Sequence, residues 1–132
     1  MRLKNFLMAS ISISHLKKLF PAPLKKKLPH DIKIVEVSVK TSQKLNTIYR
    51  NKFRATNVLS FRYDSQYGEI LICPEVIRRE AKEQGNSYEY QMTWYSVHAM
   101  IHLAGIHHER SKSAAKKAES LEYRILKQLF HY

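Results

Sequence analysis

The chain has 132 residues, with 23 Lys+Arg against 11 Asp+Glu, and so carries a formal net charge of +12. At 44% hydrophobic and 26% charged it has the apolar material for one cored domain spanning residues 1–132, outside the compositional range of disordered chains. With 3 Gly and 4 Pro it has little material for a Gly-rich phosphate loop or a turn-dense β-sandwich, and the single Cys73 rules out an intrachain disulfide and a Cys-based zinc knuckle, which suits a reducing, cytoplasmic setting.

Residues 1–30 hold Arg2, Lys4, Lys17, Lys18, Lys25, Lys26 and Lys27 and no acid, a basic segment that attracts polyanions. The start MRLKNFLMASISIS is cationic like a secretory signal, but its apolar run is short, broken by Ser and without a clear small-residue cleavage site, so no cleaved signal is expected. Phe6 to Ile13 can contain a short strand, and His15 to Leu24, interrupted by Pro21 and Pro23, a short helix running into an extended basic piece. From Ile32 to Val39 the β-branched residues alternate at period two, which predicts a strand. Thr41 or Ser42 can cap the next helix, in which Leu45, Ile48 and Tyr49 share a face and Arg50 falls at the C-terminal end. Val58 to Tyr63 and Glu69 to Cys73 read as two strands of a hairpin joined by residues 64–68. Pro74 starts a helix that Gly85 stops.

Gln91 to His108 contains no Asp, Glu, Lys or Arg, which in so charged a chain marks a helix buried on most sides; its polar residues exclude a membrane span. Ser113 to Leu129 closes the chain as an amphipathic helix with Ala118, Leu121, Ile125 and Leu129 on one stripe.

The chemistry concentrates at the end of the charge-free helix, where the segment from His98 to His108 contains four of the seven histidines. His98 and His102 are i, i+4 and project from one face, Gly105 permits the left-handed turn that ends a helix, and His108 can return as a third ligand. Three neutral imidazoles around a tetrahedral ion leave one position for water, the arrangement of a catalytic zinc site. Helical histidines can instead be core side chains satisfied by carbonyls, but burying three without partners is costly, so metal binding is the expectation. His107 is expected to point away from its neighbour, and His15, His30 and His131 lack partner spacing. The H-x-x-x-H-x-x-G-x-x-H spacing also occurs in metzincin-type peptidases, where Glu follows the first His as general base; here that position is Ala99, which argues against peptide hydrolysis.

Three segments carry a resemblance to a known family: the histidine motif, the run from Leu45 to Lys52 continuing through Thr56-Asn57-Val58-Leu59-Ser60-Phe61, and Gly68-Glu69-Ile70-Leu71-Ile72-Cys73. Together they resemble the YbeY family of endoribonucleases of ribosomal RNA maturation; residues 1–30 add no motif to the match. The resemblance implies a single Zn²⁺ or similar ion on His98, His102 and His108. It also implies a phosphate-binding catalytic role for Arg50, whose alternative is a helix-end surface residue. Departures are His107 and Ile106 in place of an acid and a Tyr, and Phe53, Ala55 and Arg62 in place of an Asp and two Pro.

The expected fold is α+β, a small mixed four-stranded sheet covered by helices, with the histidine helix central and buried. The expected activity is metal-dependent cleavage of single-stranded RNA, probed against a second hypothesis of a non-catalytic RNA-binding or ribosome-assembly factor whose structural metal is closed by His107 or Cys73. RNA is the expected partner, with ribosomal RNA, the small ribosomal subunit and assembly factors implied by the resemblance; neither DNA nor a membrane is.

Overall fold

A computed structural model describes residues 13–106 and 111–130. Residues 13–19 are helical (α1), and Pro21 starts a second helix, α2 (Ala22–Lys25), so the piece expected to be extended is a helical turn followed by a bend. This basic segment contributes to the core rather than hanging from it. Leu16, Phe20 and Leu28 are buried, and Lys17 Nζ donates to the carbonyls of Pro29 and His30 at 3.1 and 2.5 Å, tying the segment to the start of the sheet.

Strand β1 (Asp31–Glu36) ends earlier than the alternation suggests, because Ser38 caps the next helix: its hydroxyl accepts from the Thr41 N–H at 3.1 Å. Helix α3 (Val39–Arg50) therefore begins before Thr41 and Ser42, and ends at Asn51 in the left-handed conformation, φ 55°. The hairpin of β2 (Val58–Arg62) and β3 (Tyr67–Ile72) turns through residues 63–66, with Asp64 Oδ1 accepting from the backbone N–H groups of Gln66 and Tyr67, both at 2.8 Å. β3 lies between β1, which it pairs in parallel, and β2, which it pairs antiparallel.

The sheet is mixed, as expected, but among the described residues it has three strands where four were expected. The candidate fourth, Phe6 to Ile13, falls outside the described residues except for Ile13, which is helical.

Helices α4 (Pro74–Gln84), α5 (Tyr88–Leu103) and α6 (Lys112–Phe130) complete the fold. Gly85 adopts φ +74° after α4 and Gly105 φ +94° after α5, the two helix-ending roles read from the sequence. Ser87 caps α5 through the Tyr90 N–H, and the Ser111 hydroxyl accepts from Ala114 N–H at the start of α6. α5 packs across β2 and β3 and against α4 and α6, so Val97, Met100 and Ile101 meet Ile70, Ile72, Leu121 and Ile125 in one buried cluster. Gly68 serves this packing: a Cβ there would lie 3.1 Å from Pro29 Cγ and 3.3 Å from the Phe61 carbonyl oxygen. Arg62 donates to the Lys27 carbonyl and, at 2.6 Å, to the Leu103 carbonyl. It thereby joins the basic segment to the last turn of α5.

Candidate functional site

A cleft of about 1140 Å³ opens between β2, an edge strand among the described residues, and helices α5 and α6. One wall is built by the end of α3, the loop after it and β2, and presents Arg50 and Lys52. Side chains of α3 hold that loop in place. Ser42 Oγ donates to the Thr56 carbonyl (2.8 Å) and accepts from the Thr56 N–H (2.9 Å), while Asn46 Nδ2 donates to the Arg54 carbonyl (2.9 Å) and Gln43 Nε2 to that of Phe53 (3.1 Å). Ser42 and Asn46 are buried, and Arg50, one turn beyond Asn46, is exposed and lines the cleft, in keeping with its expected place at the helix end.

The other wall is α5 and α6. Tyr90, Trp94, His98 and His102 follow one another at i+4 and all line the cleft. The His98 and His102 rings lie 4.6 Å apart, centroid to centroid, inclined by 40°. The structure thus brings the first two expected ligands together, whereas His108 and His107 fall outside the described residues. Among the described residues no set of three His, Cys, Asp or Glu is arranged around one point. Cys73 is buried at the end of β3 and does not line the cleft.

Glu122 is a residue of this site that the sequence reading missed. It is only 7% exposed, and its carboxylate takes the indole N–H of Trp94 on Oε1 (3.1 Å) and meets His98 Nδ1 on Oε2 (2.8 Å). A neutral His98 bonded this way carries its proton on Nδ1 and leaves Nε2 as the ring's lone-pair donor, the tautomer a metal requires. The donor chemistry of the pair therefore fits a transition-metal ion. The signal for Glu122 was present in α6, where it sits at i+4 from Ala118 and beside Leu121 on the apolar stripe, a charge at a core position.

Behind this wall a second carboxylate, Glu80, accepts from the Tyr95 hydroxyl (2.6 Å) and from Asn57 Nδ2 (2.9 Å). Burial, reinforced by the bond to Glu80, pushes the Tyr95 hydroxyl up to about 12, so it stays a neutral donor at ordinary pH.

Among the described residues, a three-stranded mixed sheet whose edge-strand cleft faces a histidine-bearing helix defines an α+β protein. The solution structure of TM1509 from Thermotoga maritima shares this fold, with a TM-score of 0.61 and 26% identity over 92% of this chain and 83% of that one. The family model described as Endoribonuclease YbeY matches residues 7–130, and the chain belongs to that family. The match extends through the basic segment, where the sequence showed no motif. Curated relatives named Endoribonuclease YbeY include those of Polynucleobacter asymbioticus, 42% identical over 66% of this chain and 58% of the relative, and Stenotrophomonas maltophilia, 39% identical over 75% and 68%. That of Bdellovibrio bacteriovorus is 38% identical over 64% of this chain, and the matched part spans 58% of its length.

Proposed function

We propose that the protein is a metal-dependent endoribonuclease acting on single-stranded RNA. The observation that carries this reading is the meeting, in one cleft, of the His98–His102 pair keyed by buried Glu122 with the exposed Arg50 on the facing wall. His98, His102 and His108 would hold the ion, Zn²⁺ or a similar transition metal. When bound, such an ion supplies a polarised phosphoryl oxygen or a water whose pKa falls toward ~7.

The chain's own residues supply the rest. Arg50 presents a planar fork to the scissile phosphate and stabilises the charge that develops on it. The net charge of +12 attracts RNA to the protein, and Arg50 and Lys52 offer cations within the cleft. Glu122 holds His98 in one tautomer and orientation, and compensates the positive charge that a bound cation would bring into a half-buried site. Family resemblance extends the reading to ribosomal RNA as substrate in the cytoplasm, to ribosome quality control, and to the small ribosomal subunit and its assembly factors as partners.

Metal analysis of the purified protein, paired with cleavage of an unpaired RNA with and without EDTA, tests this. About one transition-metal ion per chain is expected, lost in His98→Ala, His102→Ala and His108→Ala but largely kept in His107→Ala, with cleavage lost in the same three variants. Metal at the parent level in those three variants would sink the reading. Metal-independent binding of RNA that falls steeply with salt, without cleavage, would favour the assembly-factor hypothesis.

A further inference from the structure

The cleft extends beyond the histidines, and what lines the extension is aromatic. Tyr90 and Trp94 continue the His98–His102 series toward the N-terminus of α5, each step of four residues advancing ~6 Å along the helix. That advance is comparable to the separation of successive phosphates in an extended single strand.

The two rings are held by their neighbours rather than left to swing. Tyr95 stacks on Trp94 at 5.4 Å and 26°, its own hydroxyl fixed by Glu80, and the Trp94 indole N–H is fixed by Glu122. Tyr90 stands perpendicular to Trp94 at 6.5 Å and stacks on Phe130 at 5.1 Å. Fixed aromatic faces lose little freedom when a flat ligand settles on them. Across the cleft Arg50 and Lys52 offer cations. Planar rings on one side and cations on the other match a nucleotide, a flat base joined to a phosphate, and bases are open to such stacking only where they are unpaired.

We infer that the Tyr90–Trp94 face of α5 is a base-stacking subsite, which seats one or two unpaired bases of the RNA strand whose phosphate lies at the His98–His102 end. The subsite rests on the RNA reading above and adds to it a requirement for bases beside the phosphate that is attacked. Glu122 then links the two functions, since one carboxylate fixes both the stacking ring and the histidine.

Trp94 is the only tryptophan in the chain, so its emission reports on this wall alone. The test titrates the intact protein with an oligoadenylate and with an abasic ribose-phosphate strand of equal length, reading Trp94 fluorescence and, separately, binding by filter retention. Expected are strong quenching by oligoadenylate, little by the abasic strand, and about tenfold tighter binding of the strand with bases. Tyr90→Leu and Trp94→Leu should each reduce that preference, while Trp94→Phe, which keeps a ring but loses the N–H, should retain much of it. Equal binding of the two strands with unchanged emission would overturn the subsite and leave the RNA reading standing. Failure of both strands to bind at low salt would remove the RNA reading, and the subsite with it. Because the two-strand comparison uses the unaltered protein, it decides the matter even if Trp94→Leu does not fold.

Discussion

The two walls of the cleft are held by different kinds of bond. On the α3–β2 wall, Ser42, Gln43 and Asn46 bond to main-chain groups of the loop, and the side chain with the chemistry, Arg50, stands outside that lattice in solvent. On the α5–α6 wall Trp94 and His98, themselves half-buried, bond to one another through buried Glu122. The first wall separates support from function, so the functional residue can be replaced without disturbing the fold. In the second, Trp94, His98 and Glu122 share bonds, so replacing one of them alters the setting of the other two.

Beyond the histidine variants, the largest effect should come from Arg50→Ala, which is expected to slow single-turnover RNA cleavage ~10²-fold or more while shifting stability by less than ~0.5 kcal/mol. Lysine should rescue poorly, since it lacks the planar fork. Cleavage at the parent rate would reduce Arg50 to a surface residue at a helix end. Next, Glu122→Gln should weaken metal binding ~10–100-fold, read by competition with a chelator dye, and should also lower thermal stability. Combined with Trp94→Phe it should be non-additive in stability by about 0.5–3 kcal/mol, because the two share a bond, whereas combined with Arg50→Ala it should add. Additivity in the first pair would break the contrast between the walls. Smaller still, Asn46→Ala should cost about 0.5–1.5 kcal/mol in denaturant unfolding, as the partly buried bond to the Arg54 carbonyl is lost.

The sequence disclosed these walls unequally. His98 and His102 were legible because i, i+4 spacing in an uncharged run admits few other readings, and Gly105 and Gly85 because positive φ leaves few alternatives to glycine. The third ligand could be placed only by spacing, and His108 lies beyond the described residues. Ser38 was hidden inside an unbroken β-branched alternation, where the period of two continues through the cap. The buried role of residues 13–30 was masked by their lysines, although Leu16 and Phe20 stand at i, i+4 and both are core residues. Glu122 needed tertiary information: the stripe of α6 shows a charge facing inward, but only the packing of α6 on α5 shows which groups it meets.

The smallest effect concerns a third carboxylate, set apart from both walls. In the hairpin, Tyr63 and Tyr67 stack at 5.6 Å and donate their hydroxyls to the two oxygens of Glu69, at 2.8 and 2.7 Å. The bond from Tyr67, then that from Tyr63, holds the Glu69 carboxyl below its usual range, and the same bond pushes the Tyr67 hydroxyl up to about 12. A depressed carboxyl stabilises the fold above its unfolded pKa, and that contribution is lost as pH falls through the folded one. A raised phenol works in the opposite sense: the unfolded tyrosine ionises near ~10, so stability declines from there as pH rises toward the folded value. Glu69→Gln should therefore flatten both limbs of a pH–stability profile slightly, since the cluster is largely solvated and screened. Glu69 does not line the cleft, so the variant should bind and cleave RNA as the parent does. A change in cleavage with an unchanged stability profile would mean that the hairpin takes part in binding RNA, and the cleft would then have to be drawn wider than its two walls.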